Sequence, residues 1–256
     1  MEVLMLICGI LVSAAAAVFC SRFSPIIRWR VLFLLACFFA GSEILKQFLL
    51  YIGNDCRYIW WYFPFQLCSM PLYLLPAALF LSRFCRRPAS GSRCSRTPLL
   101  SCSRRCPGLQ QTIFTFLADF GTLAGIFAFC DTSGMQYQLP VLTVHSYVWH
   151  FLMIFTGILL GLSPEQETQG RFFPSCVLFL ICAGAASLIN LFFHAYGSIN
   201  MFYISPWEPV TQAVFREIAA ITGDTLCHVI YLAAIVTGAG ILHLIFSISS
   251  SAAKRS

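Results

Sequence analysis

The chain has 256 residues, of which 59% are hydrophobic and only 10% charged, and its mean hydropathy is +0.79. A soluble domain carries about 25% charged residues, so these side chains cannot cover a water-facing globule, and a soluble enzyme or a disordered chain is excluded. The formal charge of +6 does not mark a nucleic-acid binder, because the basic residues gather in the links between apolar runs, where membrane topology already demands them.

Long apolar runs, rather than ~10-residue alternating segments, identify membrane helices and not a β-barrel. In chain order they predict spans over 2–20, 31–52, 60–82, 111–130, 142–162, 173–195 and 226–248. The first run opens with Met1, Glu2 and Val3, has no basic residue ahead of it, and is followed by Arg22, Arg28 and Arg30. That charge order fits a retained helix with its N-terminus outside. The links then alternate. The second carries Arg57 alone, the third carries seven arginines between Arg83 and Arg105, and the fourth carries no basic residue. Arg171, Arg216 and the final Lys254 and Arg255 continue the pattern, so one side collects thirteen basic residues and the other two. By the positive-inside rule the chain is a single all-α integral membrane domain over 1–256, a multi-pass bundle of the cell membrane. It has seven transmembrane helices, the N-terminus outside and the C-terminus cytoplasmic.

Residues 83–110 form an Arg/Ser/Cys-rich cytoplasmic loop, and 196–225 an external loop in which 211–221 is predicted as a short interfacial helix. Cys85, Cys94, Cys102 and Cys106 contain no C-x₂-C pair and read as reduced thiols. Most of the 13 cysteines lie inside apolar runs, where Cys behaves as a small hydrophobe.

Polar residues interrupt the spans at one level. Glu43 and Lys46 fall in the outer half of span 2, Gln66 and Cys68 in that of span 3, and His145 and His150 in that of span 5. Asn190 and His194 lie toward the outer end of span 6, and Asp224 and His228 open span 7. Ionisable groups in a span cost several kcal/mol and face a bundle interior or a wet cavity, so this convergence predicts one polar pocket open to the outside. Structural readings stand beside it. Glu43 and Lys46 can neutralise each other three residues apart, and Asn190–His194 and Asp224–His228 can act as interhelical glue. Asp119 receives no role, and His243 reads as an interfacial residue. Cys68 stands out for its setting, Trp60-Trp-Tyr-Phe-Pro-Phe-Gln-Leu-Cys-Ser-Met-Pro71. Pro71 is predicted to free the Leu67 carbonyl and kink the helix beside the thiol. A thiol and an imidazole at one depth, Cys68 and His150, can form a nucleophile–base pair.

The segment Phe63-Pro-Phe-Gln-Leu-Cys68 resembles the Leu-Pro-aromatic-or-Leu-His/Gln-Leu-Cys segment of the YwaF family of bacterial membrane proteins, which is related to animal transmembrane protein 164. Val144-His-Ser-Tyr-Val-Trp-His150-Phe-Leu-Met-Ile is similar to the family's His-bearing helix, and Ile189-Asn190 through Ser198-Ile-Asn200-Met-Phe-Tyr to its later Asn-containing block. The likeness covers about residues 30–250. The departures are Gln66 where many relatives have His, Gly157 where Pro is frequent, and the long 83–110 loop. The resemblance implies seven helices and, from the animal relative, fatty-acyl transfer onto a lyso ether phospholipid. Cys68 is then the acyl-accepting nucleophile and His150 its partner.

The first reading is therefore a membrane acyltransferase or thiolesterase-like enzyme that takes a membrane lipid or lysophospholipid from the bilayer and needs no cofactor. In it Cys68 and His150 are catalytic, and Gln66, His145, Asn190, Asn200, Glu43 and Lys46 line the substrate site. The second is a zinc-dependent membrane hydrolase built from His145, His150, His194, His228 and Asp224. The third is a non-enzymatic carrier or structural membrane protein.

Overall fold

Apolar runs build the long elements of the computed structural model, which describes residues 2–84, 107–163 and 171–253. Its elements are α1 (Glu2–Ser21), α2 (Pro25–Gly53), α3 (Met70–Phe84), α4 (Pro107–Phe116), α5 (Thr122–Phe127), α6 (Pro140–Gly161), α7 (Phe172–Phe193), α8 (Phe215–Thr222) and α9 (Asp224–Ala253). Among the described residues no strand occurs. Five helices are long and apolar enough to cross a membrane: Val3–Ser21, Pro25–Gly53, Pro140–Gly161, Phe172–Tyr196 and Asp224–Ser249. Pro25 and Pro140 stand in the first turns of α2 and α6, where a missing N–H leaves no bond unmade. Leu11, Leu45, Ile181 and Leu244 are among many large apolar side chains left exposed. Such a surface suits lipid rather than water.

Two expected helices are built differently. Residues 60–66 are not a continuous helix. A single 3-10 turn at Trp60–Tyr62 is followed by extended chain around Pro64, then by a second 3-10 turn at Leu67–Ser69 that leads into α3. Pro71 does not kink this helix. It occupies the first turn of α3, and the Leu67 carbonyl accepts the Met70 N–H. The proline therefore starts a helix, because its fixed φ suits a first turn. Between α4 and α5 the chain widens into a π-helical turn over Leu117–Gly121. The expected interfacial helix lies at Phe215–Thr222, a few residues beyond its predicted place.

The helix α6 is the hub, packed by α1, α2, α5 and the π turn. Small residues let these backbones close in. A Cβ on Gly9 would fall 2.2 Å from the Phe151 ring, and one on Gly157 would fall 2.0 Å from Thr122 Oγ1 and 2.9 Å from the Leu117 carbonyl. Phe116, Phe120 and Phe179 are fully buried, and their rings stack at 5.1 and 4.9 Å. Arg28, counted above as a loop charge, is buried. Its Nη1 donates to the carbonyls of Ser21, at 2.8 Å, and Phe23, closing the end of α1.

Candidate functional site

Helix α2 contributes an ion pair inside the bundle. Lys46 Nζ lies 2.8 Å from Glu43 Oε1, with only 13% and 5% of the two side chains exposed. The i,i+3 spacing places both on one helical face. Gln47 Nε2 donates to Glu43 Oε1 and to the Tyr62 carbonyl, both at 2.7 Å. This single amide ties the ion pair to the 60–62 turn and so to the segment that carries Cys68.

On the other side, α6 reaches the same segment. Trp149 Nε1 donates to the Cys68 carbonyl at 2.9 Å. His145, one turn earlier, lays its ring 5.6 Å from the Trp149 indole. Both of its ring nitrogens are shielded from solvent and make no hydrogen bond. His150 is buried, and its Nδ1 pairs with the Ser146 carbonyl at 2.7 Å. A carbonyl accepts only, so Nδ1 carries the proton and Nε2 is left as the basic nitrogen. The charges of Glu43 and Lys46 act on Cys68 and His145, and that of Lys46 on His150. Cys68, His145 and His150 thus lie within electrostatic reach of the Glu43–Lys46 pair, the one direct contact among these five side chains that the structure shows. No hydrogen bond joins the Cys68 thiol to either imidazole.

Phenols surround this cluster, and sequence reasoning passed over them. Tyr137, Tyr203 and Tyr231 lie within electrostatic reach of Cys68, and the Tyr62 and Tyr137 rings are 5.1 Å apart. In the loops, burial raises the Tyr137 and Tyr203 phenols. Burial and then the Glu43 charge push Tyr58 up to about 12. Asp131 moves the other way, held low by the Ser133 side chain and N–H.

The three amides expected to hold substrate are bonded to backbone instead. Gln66 Oε1 accepts from Phe202 N–H at 2.8 Å, and Gln66 Nε2 donates to the Asn200 carbonyl at 2.7 Å. Asn190 grips Met201 from both sides, accepting its N–H at 2.7 Å and donating to its carbonyl at 3.1 Å. Asn200 Oδ1 accepts from Ser205 N–H at 2.9 Å. Together they hold Phe202 and Tyr203 at φ values of 57° and 55°, a left-handed conformation that surrounding contacts must enforce in non-glycine residues. Gln66, two residues before Cys68, thereby ties that segment to the Asn200–Phe202 backbone.

The zinc set is not assembled. His194 leaves the helix in a 3-10 turn, pairs with the Leu191 carbonyl and stacks on Trp207 at 4.0 Å. Asp224 and His228 stand at the start of α9. Among the described residues no three His, Cys, Asp or Glu side chains are grouped to hold a metal ion.

A further pair escaped sequence reading. Asp119, fully buried in the π turn, faces His243 of α9, with Oδ2 and Nδ1 2.8 Å apart. The two are 124 residues apart, so no local spacing announces them. No family model matches the chain, and neither a curated protein nor a solved structure does.

Proposed function

We propose that the chain is a membrane acyltransferase of the kind its resemblance to the YwaF family and animal transmembrane protein 164 implies, with Cys68 as the acyl-accepting thiol. In this reading seven helices cross the cell membrane with the N-terminus outside and the C-terminus in the cytoplasm. The sixth and seventh crossings are Leu67–Ser82 and the α4–π–α5 unit. The alternation of thirteen and two basic residues between links supports that count.

The observation that carries the proposal is the bond of Trp149 in α6 to the Cys68 carbonyl, with the thiol and the imidazoles of His145 and His150 within electrostatic reach of the buried Lys46–Glu43 pair of α2. His150, with its proton fixed on Nδ1, takes the Cys68 proton at Nε2 while sulfur attacks the ester carbonyl. The proton then passes to the leaving alkoxide. His145 and Lys46 supply positive charge or hydrogen bonds to the oxygen that becomes anionic. The lipid enters sideways from the bilayer. Gln66, Asn190 and Asn200 position the thiol's turn. The test is incubation of membranes with an alkyne-tagged acyl probe, comparing the wild-type chain with Cys68→Ala. Loss of transfer at equal protein level supports the reading, and equal transfer by the two proteins refutes it.

A further inference from the structure

Three elements close a ring around the buried carboxylate of Asp119. The Thr122 N–H donates to the Asp119 carbonyl at the end of the π turn, so a single turn separates the two residues and brings their side chains to one side. Thr122 meets α6 at Gly157, where a Cβ would fall 2.0 Å from Oγ1. Gly161 lies one turn further along the same face of α6, and a Cβ there would fall 2.6 Å from the Phe246 ring of α9. Phe246 follows His243 by three residues on α9. His243 Nδ1 returns to Asp119 Oδ2 at 2.8 Å and closes the ring.

Two oxygens of this ring lack partners. Asp119 and Thr122 are 0% and 1% exposed, and Asp119 Oδ1 and Thr122 Oγ1 are shielded and make no hydrogen bond. A third oxygen, the Leu117 carbonyl, borders the same point as Thr122 Oγ1, 2.9 Å from a Cβ placed on Gly157. Buried oxygens without partners are expensive to keep, and a buried carboxylate needs compensation for its charge as well. The segments that form the ring, 107–127, 140–161 and 224–253, contain no Lys or Arg. His243 gives Oδ2 a hydrogen bond and leaves Oδ1 with nothing. The carboxylate also stands in a π turn, an irregularity frequent at functional sites.

We propose that Asp119 Oδ1, Thr122 Oγ1 and the Leu117 carbonyl hold a monovalent alkali cation of the Na+ class. The donors are all oxygen, as a hard cation requires, and the single carboxylate matches a single positive charge. Ca2+ takes about six to eight oxygens, and Mg2+ keeps several waters in a near-octahedral shell. Three oxygens against a packed glycine seam offer neither. The set also differs from the zinc grouping considered above, because two of its three donors are neutral oxygens. The ion joins the π turn to α6 from within and supplies the charge that the imidazole contact leaves unmatched. This site shares no residue with the Cys68 reading and does not rest on it.

The experiment melts the purified full chain in detergent while NaCl replaces choline chloride at constant ionic strength. The expected result is a saturable rise in melting temperature, about 5 °C or more at one hundred times the half-saturating concentration. Radioactive sodium should bind at about one ion per chain. Thr122→Ser keeps the hydroxyl oxygen and keeps the response. Thr122→Val keeps the shape without the oxygen and raises the half-saturating Na+ concentration about tenfold. Asp119→Asn abolishes the response. If Asp119→Asn fails to fold, the contrast between Ser and Val at position 122 decides. Melting that is the same in NaCl and choline chloride overturns the proposal and leaves an imidazolium of His243 as the charge partner of Asp119. A half-saturating concentration that is equal in Thr122→Ser and Thr122→Val overturns it too.

Discussion

The indole of Trp149 donates its N–H to the backbone carbonyl of Cys68 across 2.9 Å, joining residues 81 positions apart. This bond fixes the depth of the thiol-bearing turn against α6 and sets His145 and His150 on the flanks of the contact. Trp149→Phe keeps an aromatic ring but removes the donor. Leaving a buried carbonyl without its partner costs about 1–3 kcal/mol. We expect a lower unfolding temperature in detergent and a larger loss of acyl transfer than of stability. The two are measured by thermal melting and by the acyl-probe assay on the surviving folded fraction.

A second prediction concerns the close approach of α6 to the π turn. A methyl group at position 157 would meet Thr122 Oγ1 at 2.0 Å and the Leu117 carbonyl at 2.9 Å. The second contact is with backbone and cannot be relieved by a rotamer change. Gly157→Ala should therefore destabilise by about 1–3 kcal/mol, the usual cost of overpacking. Gly41→Ala, where nothing lies within 4 Å, should be near neutral. Melting curves of the two variants check the contrast.

Much of this architecture is legible in the sequence, and the parts that are not share a cause. Apolar length locates the long helices, because a span through lipid requires it, although the second begins at Pro25, ahead of the predicted 31. The i,i+3 spacing of Glu43 and Lys46 is also readable, and the two form the ion pair that it allows. Rotation about each helix axis is not readable without knowing the neighbours. So Asn190 could be placed at the right level while its grip on Met201 stayed hidden. The same holds for Asp119 and His243, which meet only because a π turn rotates one helix and α9 packs against it. Pro71 misled for a local reason. A proline four residues past a carbonyl breaks a helix already under way, but here the helix begins at Met70, leaving no earlier turn to break.

Topology supplies a third prediction. Cys56 is exposed in the link after α2, on the side carrying few basic residues. A membrane-impermeant maleimide should label Cys56 on intact cells. Cys94 and Cys102, which lie outside the described residues, should label only after permeabilisation. The opposite pattern reverses the proposed orientation.

The phenols give a fourth, read by pH. Tyr58 is pushed from 10.0 up to about 12, chiefly by burial, and Tyr137 and Tyr203 are raised for the same first reason. Above the ordinary phenol range the unfolded chain releases these protons before the folded chain does, so folding stability falls as pH rises beyond about 10. Ultraviolet difference titration should find fewer phenolates in the folded protein near pH 11 than in the denatured one. Phenylalanine at all three positions should remove most of the difference.

The central claim is that Cys68 is an acyl-accepting nucleophile worked by His150. It is tested most directly by profiling the acyl lipids of cells carrying Cys68→Ser, His150→Ala or both, at matched membrane protein levels. A hydroxyl is far harder to ionise than a thiol, so Cys68→Ser should fold and insert yet abolish lipid remodelling. Because thiol and base act as one unit, the double variant should be little worse than either single one. Lipid remodelling that continues in Cys68→Ser at the wild-type rate would contradict the account.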